Sequence, residues 1–491
     1  MSANGQQGGV AGGRQDSGWN RGRDSGQKGG GRRGSGRGSG FRPRQAGAEP
    51  AERAAVLPFL GNTRVPPDKS ISHRAMLMSA MAEGTSILTN LLDSHDANRT
   101  EKAISQLGAG IKVTRRSGGS FDAIVTGWGD EGPESPDEPI DCGKAGTTTR
   151  LLLGMLAGYD VEATLTGDPT LCTRPMQRVV APLSKMGAEF WDGNGNKWTE
   201  GEITLPITVR GNSHLHGIEY ASPKASAQVK TALMFAGLHC DSMVDLSEPY
   251  QSRNHTELML PAYGVDVQLG KFRVRLSGGQ RLHACDVRVP GDPSSAMFLV
   301  TAAALVPGSD ITIEELGLNP TRIAGIKVAQ RMGCDIQISE TGKVGQEPVG
   351  EVRVRYADGL SGVVVGPEEV PNLIDEIPAL ALLATTARGK TTFREVSELR
   401  VKESNRLAAI IDGLCKMGAS AREMGDDLIV EYGVPCRAAE LDSRGDHRLA
   451  MTWLLANRCL GLGGSVNDTS CIDDSFPGFI EELDRIQAVS R

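Results

Sequence analysis

The chain has 491 residues, with 53 Lys+Arg against 60 Asp+Glu, 39% hydrophobic and 4% aromatic residues, and a formal net charge of −7. That balance fits a soluble globular protein of two or three domains. No run of about 18 uninterrupted apolar residues occurs, and the first thirty residues lack the apolar core of a secretion signal, so the expected location is the cytoplasm, with no membrane partner. The nine cysteines show no CxxC and no paired spacing, which argues against a disulfide framework or a zinc ribbon.

Charge is unevenly distributed. Residues 1–50 hold nine Lys+Arg against three acids and 16 of the 62 glycines, whereas the remainder holds 44 basic and 57 acidic residues. Stretches such as Gly30-Gly31-Arg32-Arg33-Gly34-Ser35-Gly36-Arg37 cannot bury enough apolar surface to offset their chain entropy, so residues 1–50 are expected to be a disordered tail. Any nucleic-acid contact is expected through this tail alone, because an acidic body with few aromatic rings is a poor nucleic-acid surface.

From about residue 57 onward one unit repeats. Helix-start residues open apolar runs at Ser70, Thr147, Ser226, Ser294, Asp375 and Asp446, at separations of 68 to 81 residues. Strand-like stretches follow four of these runs, at Ile87–Leu91, Thr164–Thr166, Ile311–Ile313 and Thr391–Phe393. A second, amphipathic helix then ends at a glycine stop, at Gly108, Gly187, Gly264, Gly333 and Gly418, and more strand follows, as at Val352–Arg355. Six α/β units in two groups of three imply two domains. Two nucleotide-like motifs fail: prolines 133, 136 and 139 follow Gly127–Gly132 where a dinucleotide fold needs a helix, and Ala384 stands where the phosphate loop ending in Gly389-Lys390-Thr391 needs its first glycine. No nucleotide or nicotinamide cofactor and no metal is expected.

Cations gather at the helix starts. Lys69 and Arg74, Arg150, Lys224 and Lys230, and His447-Arg448 flank them, and the connections to the second helices add Arg174, Arg253, Arg322, Lys402 and Arg406. A single such start is an ordinary capped helix, but recurrence in an acidic body points to a site for small carboxylates and phosphates, bound by free helix N–H groups and guanidinium forks. Asp375-Glu376 and Glu403 lie among these cations and could act as general base and acid, although each also reads as an ordinary cap or solvated helix residue.

The motif Asp68-Lys69-Ser70-Ile71-Ser72-His73-Arg74 resembles the opening signature of the 5-enolpyruvylshikimate-3-phosphate synthase family. The resemblance continues in order through Ala145–Arg150, Gly167-Asp168 with Arg174-Pro175-Met176, Ser226–Lys230, Ser252-Arg253 with His255-Thr256-Glu257, Pro290–Ala296, Asp375–Pro378, Glu398–Ser404 and Gly445–Arg448. It implies an α/β fold of two inside-out α/β barrel domains, each of three βαβαββ repeats. One domain is expected from residues 51–68 with 290–491 and the other from 69–289, the chain crossing near Asp68 and Pro290.

The resemblance also implies transfer of the enolpyruvyl group of phosphoenolpyruvate to the 5-hydroxyl of shikimate 3-phosphate, without cofactor, by a monomer. Lys69, Asp375, Glu403, Lys402 and His447 would be catalytic. Ser70, Arg74, Ser226, Ala227, Gln228, Ser252, Asp375 and Lys402 would hold shikimate 3-phosphate, and Lys69, Gly146, Arg174, Gln228, Arg406 and Arg448 phosphoenolpyruvate. Gly146 would leave room beside phosphoenolpyruvate, so competition by its analogue glyphosate is expected. Lys144, Asn254, Asn405 and Asp474 depart from the residues usual in the family. A cell-wall relative acting on a UDP-sugar would be expected to carry a reactive loop cysteine, which finds no match.

Overall fold

The computed structural model describes residues 56–487, so the expected Gly/Arg-rich tail lies outside the described residues. Within them the repeat is a βαβαββ unit. The second unit runs through strand Ile140–Asp141, helix Gly146–Ala157, strand Glu162–Thr166, helix Gln177–Met186 and strands Glu189–Trp191 and Ile207–Arg210. Its first two strands pair in parallel, and the last two join antiparallel at the far side. The third unit (residues 219–276) and the fifth (residues 364–431) repeat this order.

The first and fourth units exchange their opening strands. Leu60–Thr63 precedes the Lys69–Met81 helix in sequence, yet it pairs in parallel with Asp310–Gly317 of the fourth unit. Val287–Arg288 precedes the Pro293–Leu305 helix and pairs with Thr85–Leu92 of the first. The sixth unit keeps a parallel strand pair, Glu440–Leu441 with Ser465–Val466, but continues into a 3₁₀ turn and the helix Phe479–Ile486 where the others form a hairpin.

Two hydrophobic cores result, one from residues 59–65 with 296–486 and the other from residues 71–289. The first helix of each unit is apolar on most faces, so it is stable only when surrounded; all thirteen residues of Pro293–Leu305 are buried. Strands such as Thr85–Leu92 begin with exposed and buried residues alternating, one side toward the helices and one toward water. Helices therefore lie inside and sheets outside. A Cβ at Gly154 would come within 2.4 Å of the Ala232 Cα, so the helices Gly146–Ala157 and Ala227–Gly237 cross in backbone contact that only glycine permits.

The segments joining the cores run side by side. The Asp68 N–H donates to the Pro290 carbonyl (2.8 Å) and the Asp292 N–H to the Pro66 carbonyl (2.9 Å). Asp68 and Asp292 also cap the helices that follow, accepting from the Ile71 and Ser294 amides, and buried Arg322 bridges both carboxylates at 3.1 and 2.6 Å.

These caps correct three of the helix starts read from sequence. Ser70 and Ser294 sit inside helices capped by aspartates two residues earlier, whose side chains already accept the free amides. Thr147 is likewise inside its helix, where its hydroxyl accepts from Gln228 (2.9 Å). Ser226 and Asp446 cap as expected. The five glycine stops all have positive φ, between 85° and 115°.

Candidate active site

The starts of the inner helices face a cavity of about 790 Å³ between the two cores. All the residues named above as catalytic or substrate-holding line it, from Lys69, Ser70 and Arg74 through Ser226, Ala227, Gln228 and Ser252 to Asp375, Lys402, Glu403, Arg406, His447 and Arg448. Residues that begin helices thus meet although hundreds of positions separate them in sequence.

Arg406 organises the acidic pair. Fully buried at the start of the helix Arg406–Lys416, it donates from Nε to Asp446 (2.7 Å), from Nη1 to Asp375 (3.0 Å) and from Nη2 to Glu403. Asp375 is not a helix cap, as its sequence position suggested. The helix begins at Ile377 with no side-chain cap, and the Asp375 carboxylate instead meets Arg253 (2.8 Å), Arg406 and Lys402 (3.5 Å). Burial opposes its charge, but Lys402, Arg253, Arg406 and Arg448 prevail and hold its pKa well below the usual carboxylate range. Glu403 behaves in the same way: burial opposes ionisation and Arg406, with Arg174 at 3.8 Å, outweighs it.

Lys69 is held by Asp96 and by the Asp474 carbonyl (3.1 Å), while the Asp474 carboxylate accepts from His95 (2.9 Å). Burial and the nearby Asp96 raise the pKa of Asp474. His447 is kept neutral by burial, then by Lys69 and Arg448. Arg448 is 5% exposed, and its Nε and Nη1 have no hydrogen-bond partner among the described residues; the same is true of Arg174 Nε. Buried guanidinium groups with spare donors are prepared for an anion. Arg74, by contrast, donates from Nε, Nη1 and Nη2 to Thr256, the Ser70 carbonyl and Thr231, at 2.8 to 3.0 Å, with a second N–H left on each terminal nitrogen.

A Cβ at Gly146 would lie 2.8 Å from Arg150 Nη1 and 3.2 Å from Arg174 Nη1, so glycine there lets two guanidinium groups crowd the helix start. Arg150 donates to Gln228 (3.0 Å); burial, with Arg174 and Arg178 nearby, lowers its pKa to about 10. The cavity is spanned by pairs that join the two cores: Glu398 with Arg178 and Lys224, each at 2.8 Å, and Asp375 with Arg253. Arg178, Glu398 and Asp96 were not found from sequence, because each reads as an ordinary charged surface residue. Among the departures, Asn405 caps the Arg406 helix and Asn254 accepts from Asn319 and Thr321, so both amides serve local structure.

Among the described residues no helix is long and apolar enough to cross a membrane, and no group of three or more His, Cys, Asp or Glu could hold a metal ion.

Comparisons with known proteins agree on one family. The family model described as EPSP synthase (3-phosphoshikimate 1-carboxyvinyltransferase) matches residues 56–483. A 3-phosphoshikimate 1-carboxyvinyltransferase of Desulforamulus reducens is 42% identical over 426 residues, covering 87% of this chain and 96% of that protein. One from Pelotomaculum thermopropionicum is 43% identical over 429 residues, covering 87% and 96%. The solved EPSP synthase of Acinetobacter baumannii superposes with a TM-score of 0.75 at 35% identity, covering 89% of this chain and 99% of that one. The enolpyruvyl transferase NikO of Streptomyces tendae, at 16% identity and TM-score 0.68 over 88% and 96% of the two chains, shares the fold. Helix starts from both cores around one cation-rich cavity, and matches along nearly the whole described length, lead to one conclusion: this chain belongs to the EPSP synthase (3-phosphoshikimate 1-carboxyvinyltransferase) family.

Proposed function

We propose that this enzyme transfers the enolpyruvyl group of phosphoenolpyruvate to the 5-hydroxyl of shikimate 3-phosphate by addition followed by elimination, releasing phosphate. The observation that carries the mechanism is the pair of carboxylates, Asp375 and Glu403, sharing the guanidinium of Arg406 in a cavity with spare cationic donors. Phosphoenolpyruvate is held by Lys69, Gly146, Arg174, Gln228, Arg406 and Arg448. Shikimate 3-phosphate is held by Ser70, Arg74, Ser226, Ala227, Gln228, Ser252, Asp375 and Lys402.

In the addition, Asp375 takes the 5-hydroxyl proton as that oxygen bonds to C2 of phosphoenolpyruvate, and Glu403 gives a proton to C3, which becomes a methyl group. The tetrahedral ketal phosphate collapses when the C2–O bond to phosphate breaks, Glu403 takes back a methyl proton to restore the double bond, and the proton on Asp375 leaves with phosphate. Lys69, Lys402, His447 and the arginines stabilise charge as it develops.

Without substrate Glu403 is ionised, which suits a base and not an acid. Substrate anions resolve this by engaging Arg406 and Arg174. A charge pair at about 4 Å is worth ~4 kcal/mol at an effective dielectric near 20, equivalent to about three pH units. Weakening such a partner shifts the balance toward burial, and Glu403 then takes up the proton it must deliver.

Turnover in D₂O tests the sequence of steps: deuterium is expected in the transferred vinyl CH₂, because C3 passes through a methyl group, and product free of deuterium would overturn addition–elimination. Glyphosate is expected to compete with phosphoenolpyruvate; unchanged turnover at limiting phosphoenolpyruvate would contradict its binding there. A cytoplasmic, monomeric enzyme belongs to the same proposal, checked by fractionation and sedimentation. Removal of residues 1–50 is expected to leave turnover intact and to abolish any nucleic-acid binding.

A further inference from the structure

The sixth unit ends unlike the other five, and its ending reaches Lys69. The 3₁₀ turn Ser470–Asp474 packs into the core of residues 296–486, whereas the helices that begin at Lys69 and His95 pack into the core of residues 71–289. Across this boundary the Asp474 carbonyl accepts from Lys69 Nζ (3.1 Å), and the Asp474 carboxylate accepts from His95 Nδ1 (2.9 Å). Asp96, next to His95, pairs with the same Lys69 ammonium. The contact continues at Pro477, which a Cβ at Gly119 would meet at 2.9 Å, and the Gly119 carbonyl accepts the Asp93 N–H (2.9 Å) just ahead of His95. The end of the sixth unit therefore rests on the segment Asp93–Asp96, which also supplies the other acceptor for Lys69.

An ammonium group has three N–H bonds. One goes to Asp96 and one to the Asp474 carbonyl, so two fixed acceptors direct the third, on a side chain that lines the cavity. Those acceptors lie on different cores, which makes the aim of Lys69 depend on how the cores meet. The Asp474 side chain is 8% exposed and is not part of the cavity lining; the charged groups facing it are Asp96, Lys69, His95 and Lys144. His95 is 75% exposed, so its contribution is the hydrogen bond and not packing. We propose that His95 and Asp474 form a cross-core pair that positions Lys69: His95 fixes the Asp474 side chain, and with it the carbonyl that takes one Lys69 proton, leaving the third N–H aimed at phosphoenolpyruvate. Both are positioning residues, and the pair rests on the role given to Lys69 above.

Measuring kcat/KM for phosphoenolpyruvate at saturating shikimate 3-phosphate, in the wild type and in Lys69→Ala, separates positioning from packing. In the wild-type background Asp474→Ala is expected to lose about tenfold and His95→Ala about fivefold, the range of one hydrogen bond. Asp474→Asn still accepts from His95 and should stay within about twofold of wild type. In the Lys69→Ala background each alanine substitution should cost less than about twofold, because the group it aims is gone. Equal losses in both backgrounds would show that the pair only supports the fold and would overturn the proposal. Full activity of both alanine variants, or an Asp474→Asn as impaired as Asp474→Ala, would overturn it too. Should Asp474→Ala fail to fold, His95→Ala decides alone, its side chain lying mostly in solvent. A Lys69→Ala enzyme with wild-type turnover would instead refute the role of Lys69 on which the pair acts.

Discussion

Replacing Arg322 with methionine removes the cation that bridges two buried carboxylates where the chain crosses between its cores. Arg322, Asp68 and Asp292 have side chains no more than 2% exposed. In the wild type burial opposes the charge on Asp68, but Arg322, then His255 and Arg253, hold its pKa far below the usual carboxylate value. Asp68 therefore stabilises the fold above its unfolded pKa of about 4, and that contribution is lost as pH falls. Without Arg322 the largest cation opposing burial is gone, so the folded pKa rises and protonation relieves more of the cost of the buried carboxylate.

Breaking a buried pair in this way costs about 3–5 kcal/mol. With a urea dependence near 3 kcal/mol/M for a chain of this size, the first unfolding midpoint at pH 7.5 should fall by ~1–1.7 M, and the gap to wild type should narrow toward pH 5. Two cores need not unfold together, so the first transition is the one to follow. Because Asp68 caps the helix that begins at Lys69, turnover should fall as well. A midpoint shift below about 0.3 M, or a gap that widens on acidification, would refute the reasoning.

Other expectations follow from the cavity. Gly146→Ala should raise the KM for phosphoenolpyruvate about tenfold, because its methyl group meets the ends of Arg150 and Arg174; the clash is with flexible side-chain tips, so a thermal midpoint within about 2 °C of wild type is expected, and an unchanged KM would count against the placement. Glu398→Gln should raise both substrate KM values a few-fold by weakening the pairs with Arg178 and Lys224. The pKa of Glu398 is lowered to about 2, burial opposing and those two cations prevailing, so the effect should persist down to pH 5. In the wild type 0.5 M salt should mimic it, since the pairs are partly exposed; salt-independent KM values would contradict the latch. Calorimetry of phosphoenolpyruvate binding in two buffers of different ionisation enthalpy should show about one proton fewer taken up by Glu403→Gln than by wild type. Equal uptake would show that Glu403 does not titrate on binding.

The repeat and the gathering of cations at helix starts were legible because they rest on local chemistry. Apolar runs form inner helices wherever they fall, and Gly187 or Gly418 stops a helix by adopting positive φ irrespective of distant partners. What escaped was set by long-range pairing. Two-residue strands such as Val287–Arg288 carry no periodicity, so their exchange between the first and fourth units was implied only by the family resemblance, through the crossings near Asp68 and Pro290, and not by the residue pattern. Asp68, two residues before Ser70, takes the cap, while Asp375 leaves its helix start because Arg253 and Arg406, distant in sequence, pull on its carboxylate. Glu248 and Glu398 look like solvated acids until the fold brings Lys230 behind one and Arg178 against the other.

The central claim is that Glu403 and Lys69 act on phosphoenolpyruvate and shikimate 3-phosphate together. Phosphate release measured with both substrates present tests it most directly. The wild type should release one phosphate per enolpyruvyl group transferred; Glu403→Gln and Lys69→Ala should each lose about 10²–10⁴-fold in kcat, with Glu403→Gln still binding phosphoenolpyruvate. Phosphate release by Glu403→Gln within a few-fold of wild type would contradict the account.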